Sequence, residues 1–482
     1  MRLRMGLLLS AALLGSGVPA FAQTKAQQVK PASPAVPSVP HTLLQALAAT
    51  YSYNPALLAQ RAQVRATDEG VPQALAGWRP TIVAAGTAGW ADGVTKAGRA
   101  AVSSERDIGV AQVTVTQPVY TGGRVNATVH RATNAVYAAR AALINQEETA
   151  FTDTVSAYVG VIQARQTLAL NQNNEHVLSE QLRATQDRFR VGEITQTDVA
   201  QAQTALASAV AATETARGNV QTAEASYLRA VGAPPPPDLV PPQPLELPVK
   251  SEQEAAQLAS TNNPQVIQAL FNLASARNNV DVAFANLMPQ ISIQGSASKT
   301  NNQLEAMTQQ NGYQITANLT MPLYQGGAEY SAVRQARQLV QQNEQLVADA
   351  RRTAVQSAVA AWDTLVAARA AVKSSQVAIQ AGQIALEGTE RQALVGTATT
   401  LDVLTVQQSL LNTQLTLVQN LASLVNATYQ LAAAVGRLTA RDLGLPVSLY
   451  DDTAYYEAVK NKWWGVSVPD PATLYRTGAS TK

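Results

Sequence analysis

The chain of 482 residues carries a formal net charge of +2, only 14 % charged residues and no cysteine. That excludes a disulfide framework, a thiolate nucleophile, a cysteine-based metal site and a cysteine-linked lipid anchor. The even charge balance excludes the basic footprint of a nucleic-acid binder, and the low aromatic share of 5 % fits closely packed helices better than a large globular core.

The first predicted element is a leader. Arg2 and Arg4 precede the apolar run Leu7–Leu14, and Ala20-Phe21-Ala22 offers a small-x-small cleavage site. Residues 1–22 therefore read as a secretory signal peptide, and 23–40 as a proline-rich lead. After Ala22 no run approaches the roughly 20 apolar residues that a membrane helix needs.

From residue 41 the chain is written twice. Asn54-Pro55 recurs as Asn263-Pro264, and Trp78-Arg79-Pro80 as Leu287-Met288-Pro289, both 209 residues later. Pro118, Tyr120, Gly122 and Gly123 recur as Pro322, Tyr324, Gly326 and Gly327, now 204 residues later. Val191-Gly192, Asp198-Val199 and Val231-Gly232 keep that second offset. The predicted division is a first repeat over 41–232, a proline-rich linker over 233–250, a second repeat over 251–440 and a tail over 441–482.

Each repeat holds one short β portion, a hairpin over about 81–119 in the first and about 290–323 in the second. Ile291, Ile293, Gly295 and Ala297 alternate with Ser292, Gln294, Ser296 and Ser298. Tyr313, Ile315, Ala317, Leu319 and Met321 alternate with Gln314, Thr316, Asn318 and Thr320. Strict period two predicts strands with one apolar and one polar face. The first hairpin is weaker: Ile82, Ala84, Ala88 and Trp90, then Val113 and Val115, with the extra residues expected in a loop from Ala91 to Asp107. About 10 residues suffice for a tilted transmembrane strand. Four strands cannot close a barrel in lipid, because an open edge leaves backbone groups unsatisfied. Either the strands are soluble or several chains pool them, and three chains would supply twelve.

The remainder reads as helix. No proline occurs from Val119 to Ala233 or from Leu323 to Leu445, and Arg124 to Arg190 and Ala328 to Leu394 are predicted as very long helices. Leu404, Leu411, Val418 and Val425 form one seven-residue track, and Leu410, Leu417, Leu424 and Leu431 another beside it. Two tracks predict a helix with neighbours on more than one side. "VGEITQTDV" and "VGTATTLDV" end the long helices: Gly192 and Gly396 suit a left-handed C′ position, and the following Thr and Asp suit the cap of a returning helix. The tail carries Tyr450, Tyr455, Tyr456, Trp463 and Trp464, to which the sequence assigns no role.

Together the duplicated halves, the paired Pro-x-Tyr-x-Gly-Gly segments and the Val-Gly…Asp-Val turns closely resemble the TolC family of outer-membrane efflux proteins over Thr42 to Arg441. The resemblance implies a mainly α fold with four strands per chain. Three chains would form a 12-stranded outer-membrane β-barrel on a periplasmic α-helical tunnel, the exit duct of an efflux pump or type I secretion system. It also implies a periplasmic adaptor protein and an inner-membrane RND or ABC transporter as partners. Pro118, Tyr120, Gly122, Gly123, Pro322, Tyr324, Gly326 and Gly327 would then mark the crossing from barrel to tunnel. Proline would end the strand, tyrosine would sit at the membrane interface, and the glycines would allow the swing into helix.

By the same resemblance Gly192, Asp198, Gly396 and Asp402 lie at the periplasmic tip, with Asp402 matching a constriction aspartate and Asp198 a linking one. Thr405 stands where relatives carry a second ring aspartate, and Ala398 and Ala393 replace the arginine and tyrosine of their lock. Three Asp402 carboxylates around an axis would repel one another and raise their pKa values. The plainer reading of both aspartates is stabilisation of a helix N-terminus.

No catalytic centre is legible. His41, His130 and His176 lie far apart and in no ligand spacing, and no G-x-x-x-x-G-K-[ST] or G-x-S-x-G motif is present. No cofactor or metal is expected, and transport energy would come from partners. The alternative from another class is a secreted coiled-coil adaptor with a small soluble β region, whose apolar strand face would be buried against protein.

Overall fold

The computed structural model describes residues 40–98, 100–246, 249–302 and 308–476. The predicted leader and all but Pro40 of the proline-rich lead lie outside them.

Both repeats begin alike. In the first, α1 (Leu43–Tyr53) and α2 (Pro55–Asp68) meet at Asn54, and α3 (Gly70–Leu75) continues toward the sheet. The Asn54 side chain accepts from the Ala56 and Leu57 amides, and Pro55 opens the new helix, where its missing N–H is no loss. In the second, α6 (Glu252–Asn262) and α7 (Pro264–Ala285) meet at Asn263 in the same way. Asn54 Nδ2 also donates to Ala230 O (3.3 Å), and Asn263 Nδ2 to Ala434 O (3.1 Å). Each asparagine thus joins the start of one helix to the end of another, which stacks the two.

The strands follow. β1 (Thr81–Ala97) and β2 (Ala100–Tyr120) form the first hairpin, β3 (Gln290–Asn301) and β4 (Gln309–Thr320) the second. The four pair antiparallel in chain order, which leaves β1 and β4 as edges. The loop expected from Ala91 to Asp107 is instead paired strand: Trp90 opposes Asp107, and the ladder continues to Ala97 opposite Ala100. The added residues of the first repeat extend both strands in step, so each gains a partner for its backbone groups rather than standing in water.

The long helices have the predicted bounds: α4 is Arg124–Arg190 and α8 is Ala328–Leu394, 67 residues each. At about 1.5 Å per residue each spans roughly 100 Å. They return through α5 (Gln196–Val231) and α9 (Thr400–Ala434). α9 packs against both α8 and α4, and all eight residues of its two heptad tracks are buried or half-buried. That is the two-sided packing the tracks predict.

Apolar burial concentrates at mid-height. One cluster joins α1, α2, α4, α5 and α9 through Leu47, Leu57, Phe151, Tyr158, Tyr227 and Tyr429. A second joins α6, α7, α8 and α9 through Ala259, Val266, Ala358, Leu365 and Leu431. The described part of the tail is folded onto the first repeat. It forms β5 (Leu449–Tyr450), α10 (Ala454–Val459) and β6 (Tyr475–Arg476). Tyr450 and Tyr475 flank the buried Arg61, whose guanidinium lies 4.3 Å from the Tyr51 ring centre. Arg79 stacks on Trp463 and donates to Lys462 O (2.8 Å), and the Tyr455 hydroxyl donates to Glu69 (2.7 Å). The tail aromatics thus hold the short helices of the first repeat in place.

Candidate functional site

The strand register aligns the alternation of all four strands. Ile82, Val115, Gly295 and Ile315 form one row across the sheet, and Ala84, Val113, Ala297 and Tyr313 the next but one. The row between them is Val83, Thr114, Ser296 and Gln314, on the opposite face. One face is therefore apolar across these rows, giving way to Gly86, Ala111, Lys299 and Asn311 in its next row, and the other is largely polar. The apolar face is bare: Tyr313 is 89 % exposed and Ile315 83 %. Such a continuous uncovered face is what a lipid or protein contact requires.

The two junctions share their backbone. Gly122 and Gly326 have φ of +63° and +64°, and Gly123 and Gly327 have +85°. Two successive left-handed residues turn the chain from strand to helix, a conformation that glycine adopts without strain. The Gly123 and Gly327 carbonyls then accept from Ala127 and Ser331 in the first turn (3.1 Å each). The prolines differ. Pro322 follows the end of β4, but Pro118 lies inside β2, opposite Ser292. The ladder survives through a bulge that leaves Val119 unpaired and sets Tyr120 opposite Ile291 on the apolar face. The expectation that proline ends the strand thus holds in the second repeat and fails in the first. Tyr120 and Tyr324 are both exposed.

The glycines also differ in surroundings. A Cβ on Gly122 would meet Met288 Cβ at 2.5 Å and Ala285 O at 2.8 Å, whereas one on Gly326 would meet nothing within 4 Å.

At the far ends of the long helices the two turns share the same backbone closure and the same cap. Gly192 and Gly396 are left-handed at +82° and +78°. Glu193 N donates to Arg188 O (3.0 Å) and Gly192 N to Phe189 O (2.9 Å), with the same pair at Thr397–Gln392 and Gly396–Ala393. This is the Schellman closure of a helix C-terminus. Thr195 and Thr399 then cap α5 and α9. Each hydroxyl accepts from the Asp198 or Asp402 amide (3.3 and 3.2 Å), and each carboxylate accepts from the threonine amide (2.9 and 2.8 Å). Both aspartates are thereby held below the usual carboxylate range: for Asp198 the Thr195 hydroxyl leads, for Asp402 the Thr399 amide. Within one chain the shift is opposite to the rise expected from three clustered carboxylates. The Thr405 hydroxyl donates back to Leu401 O (2.8 Å), Ala393 supplies a turn carbonyl, and Ala398 is half-buried.

A buried charged group at mid-height was not legible beforehand. Asp68 is fully buried with neither carboxylate oxygen hydrogen-bonded, and burial pushes it up to about 7. Burial likewise raises Glu147 to about 7 and Glu148 to about 9. The one available signal was Glu147-Glu148 beside the apolar Phe151, Val155 and Tyr158. Among the described residues no three acidic or histidine side chains gather as a metal site, and no helix is long and apolar enough to cross a membrane.

With this geometry in view, comparison with known proteins gives three findings. The family model described as "Outer membrane efflux protein" matches residues 47–233 and 255–437. The outer membrane efflux protein BepC of Brucella suis biovar 1 (strain 1330) is 34 % identical over 430 residues, covering 89 % of this chain and 92 % of that one. Among solved structures, the outer membrane protein VceC of Vibrio cholerae superposes with a TM-score of 0.71 at 18 % identity, over 82 % of this chain and 96 % of that one. The CmeC outer membrane channel of Campylobacter jejuni superposes at 0.72 and 16 %, over 82 % and 85 %. At those identities the structures speak for the fold alone.

Proposed function

The chain belongs to the outer membrane efflux protein family, and from that premise we propose that it is the passive exit duct of a tripartite pump or type I secretion system. The family places it in the outer membrane as a transport channel. The alternative of a soluble secreted adaptor falls with that assignment.

One observation carries the finer reading: a four-stranded sheet with a bare apolar face and two open edges. Neither edge can stand in lipid. Three copies pair β4 of each with β1 of the next and close a twelve-stranded barrel, with the apolar face outward. The long helices below it form the periplasmic tunnel. The junctions support this closure. Gly122 packs on Ala285 and Met288, whose repeat counterparts are Ala76 and Arg79, just before β1. Gly326 has no such neighbour in its own chain, and a second copy's β1 end would supply it. Pro118, Tyr120 and Gly123, with Pro322, Tyr324 and Gly327, then sit at the lower membrane boundary. Gly192, Asp198, Gly396 and Asp402 sit at the periplasmic entrance, where Asp402 supplies the negative ring without a second aspartate at Thr405. A periplasmic adaptor docks there, and an inner-membrane RND or ABC transporter supplies the energy, since the chain carries no nucleotide-binding motif.

The test uses the absence of native cysteine. Thr116 pairs with Gln294, and the repeat offsets map that pair onto Thr320 and Ala85 of adjacent copies. The double variant Thr320→Cys, Ala85→Cys should cross-link on oxidation into closed trimers that conduct ions in a planar bilayer. A monomer that never cross-links and leaves the bilayer silent overturns the proposal.

A further inference from the structure

A cavity of about 390 Å³ lies between α1, α2, α4 and the start of the tail. Two arginines line it with unspent donors. Arg61 is 1 % exposed, and its Nη2 has no hydrogen-bond partner. Its Nη1 reaches only the Tyr475 hydroxyl at 3.3 Å, and among the described residues no carboxylate pairs with it. Arg140 Nε is also buried without a hydrogen bond, because Asp452 Oδ2 stands 3.7 Å away. A buried guanidinium with an unmade bond is costly, and such groups are ordinarily matched by an acceptor.

The acids of the cavity make no hydrogen bond to these donors, Asp452 meeting Arg140 only as an ion pair at 3.7 Å. Glu147 accepts from the Ala440 amide (2.6 Å), and Asp442 accepts from the Thr439 hydroxyl (2.7 Å). Leu143, Ile144 and Leu449 add an apolar wall. We infer that this cavity binds a small organic monocarboxylate, its carboxylate between Arg61 Nη2 and Arg140 Nε and its apolar body against Leu143, Ile144 and Leu449. A carboxylate accepts from guanidinium donors with strong, directional bonds. A phosphate dianion is disfavoured, because Glu147, Asp442 and Asp452 line the same space and it brings no apolar body to the wall. The volume falls within the range of small-molecule sites.

The charge balance predicts the pH response. The groups facing the cavity are Arg61, Arg140 and Arg441, opposed by Glu147, Asp442 and Asp452, with the Tyr51 and Tyr450 rings; the buried Asp68, which interacts with Arg140 and Asp452 and is also pushed up to about 7, acts in the same direction. Burial holds Glu147 up to about 7. Below that pH it is neutral, and above it adds a charge that repels the ligand.

The experiment is calorimetric titration of the full-length purified protein in detergent with benzoate, and separately with inorganic phosphate. The expected result is saturable benzoate binding, one per chain, tighter at pH 6 than at pH 8. Arg61→Lys and Arg140→Gln should each weaken it about tenfold or more, the loss of one charge-assisted bond. Arg140→Gln spares the ring stack on Arg61, so it keeps the test valid if the Arg61 variant fails to fold. Arg217→Gln, on the exposed side of α5, should bind as the parent does. No saturable binding overturns the site. Binding indifferent to Arg140→Gln overturns its location, and phosphate binding as tightly as benzoate overturns the ligand class.

Discussion

Replacing Gly122 by alanine isolates the joint between sheet and helix. The backbone there has a φ of +63°, which costs an L residue about 1–2 kcal/mol. The new methyl carbon would lie 2.5 Å from Met288 Cβ and 2.8 Å from Ala285 O, neither of them the loose end of a side chain. Forcing a carbon into such a space typically costs about 1–3 kcal/mol more, so the expected destabilisation is about 2–5 kcal/mol in total. Gly123 is the internal control: its φ is +85° and nothing lies within 4 Å, so Gly123→Ala carries the backbone cost alone. The assay is thermal unfolding of the purified protein followed by far-ultraviolet circular dichroism under one detergent condition. Gly122→Ala should lower the midpoint by two to three times as much as Gly123→Ala. Equal drops, or a larger one for Gly123→Ala, would refute the reasoning, because the contact with α7 would then carry no weight.

Asp402→Ala should reduce single-channel conductance and cation selectivity, and in the parent both should fade as acid protonates the ring, the Thr399 cap holding each carboxylate down and the neighbouring carboxylates pushing it up; unchanged currents would remove Asp402 from the entrance. For Asp68 the folded-state pKa is raised from 3.8 to about 7, so the folded chain binds the extra proton between those values and stability declines as pH rises across them. Asp68→Asn should flatten that decline in unfolding midpoints measured from pH 4 to 8. Two neighbouring tyrosines should respond with opposite sign. The Tyr158 hydroxyl reaches His41 O (2.9 Å) and Val240 O (2.8 Å), so Tyr158→Phe should destabilise by about 1 kcal/mol. The Tyr227 hydroxyl is buried without a partner, so Tyr227→Phe should be neutral or stabilising in the same denaturation series.

The sequence announced most of this fold because its signals are local. An uninterrupted stretch between a double glycine and Val-Gly delimits α4 and α8, since glycine alone tolerates the backbone at both ends. The strand faces were legible because period two survives in Ile291–Ala297 and Tyr313–Met321. In the first hairpin small residues blur the alternation, and Ala91–Asp107 read as loop although backbone pairing alone suffices to make it strand. Pro118 misled for a related reason: a bulge depends on the partner strand, which lies far away in sequence. At the tips Thr195-x-x-Asp198 and Thr399-x-x-Asp402 were readable as caps. The Arg61 cavity was not, because its walls come from residues nearly 400 positions apart, Arg61 and Tyr450 among them. The tail aromatics had no partner visible in their own neighbourhood.

The two hairpins end at different heights. β3 keeps company with β2 only from Gly109 to Tyr120, and beyond Asn301 the upper part of β2 is paired with β1 alone. The exposed charges of this two-stranded part include Asp92 on β1 and Glu105 and Asp107 on β2. In the trimer proposed above this would make a three-pronged crown at the cell exterior, with ribbons standing clear of the bilayer and gaps between them. Antibodies and phages approaching from outside would touch these prongs first, and a peptide tag grafted onto their crest would be displayed without disturbing the wall beneath.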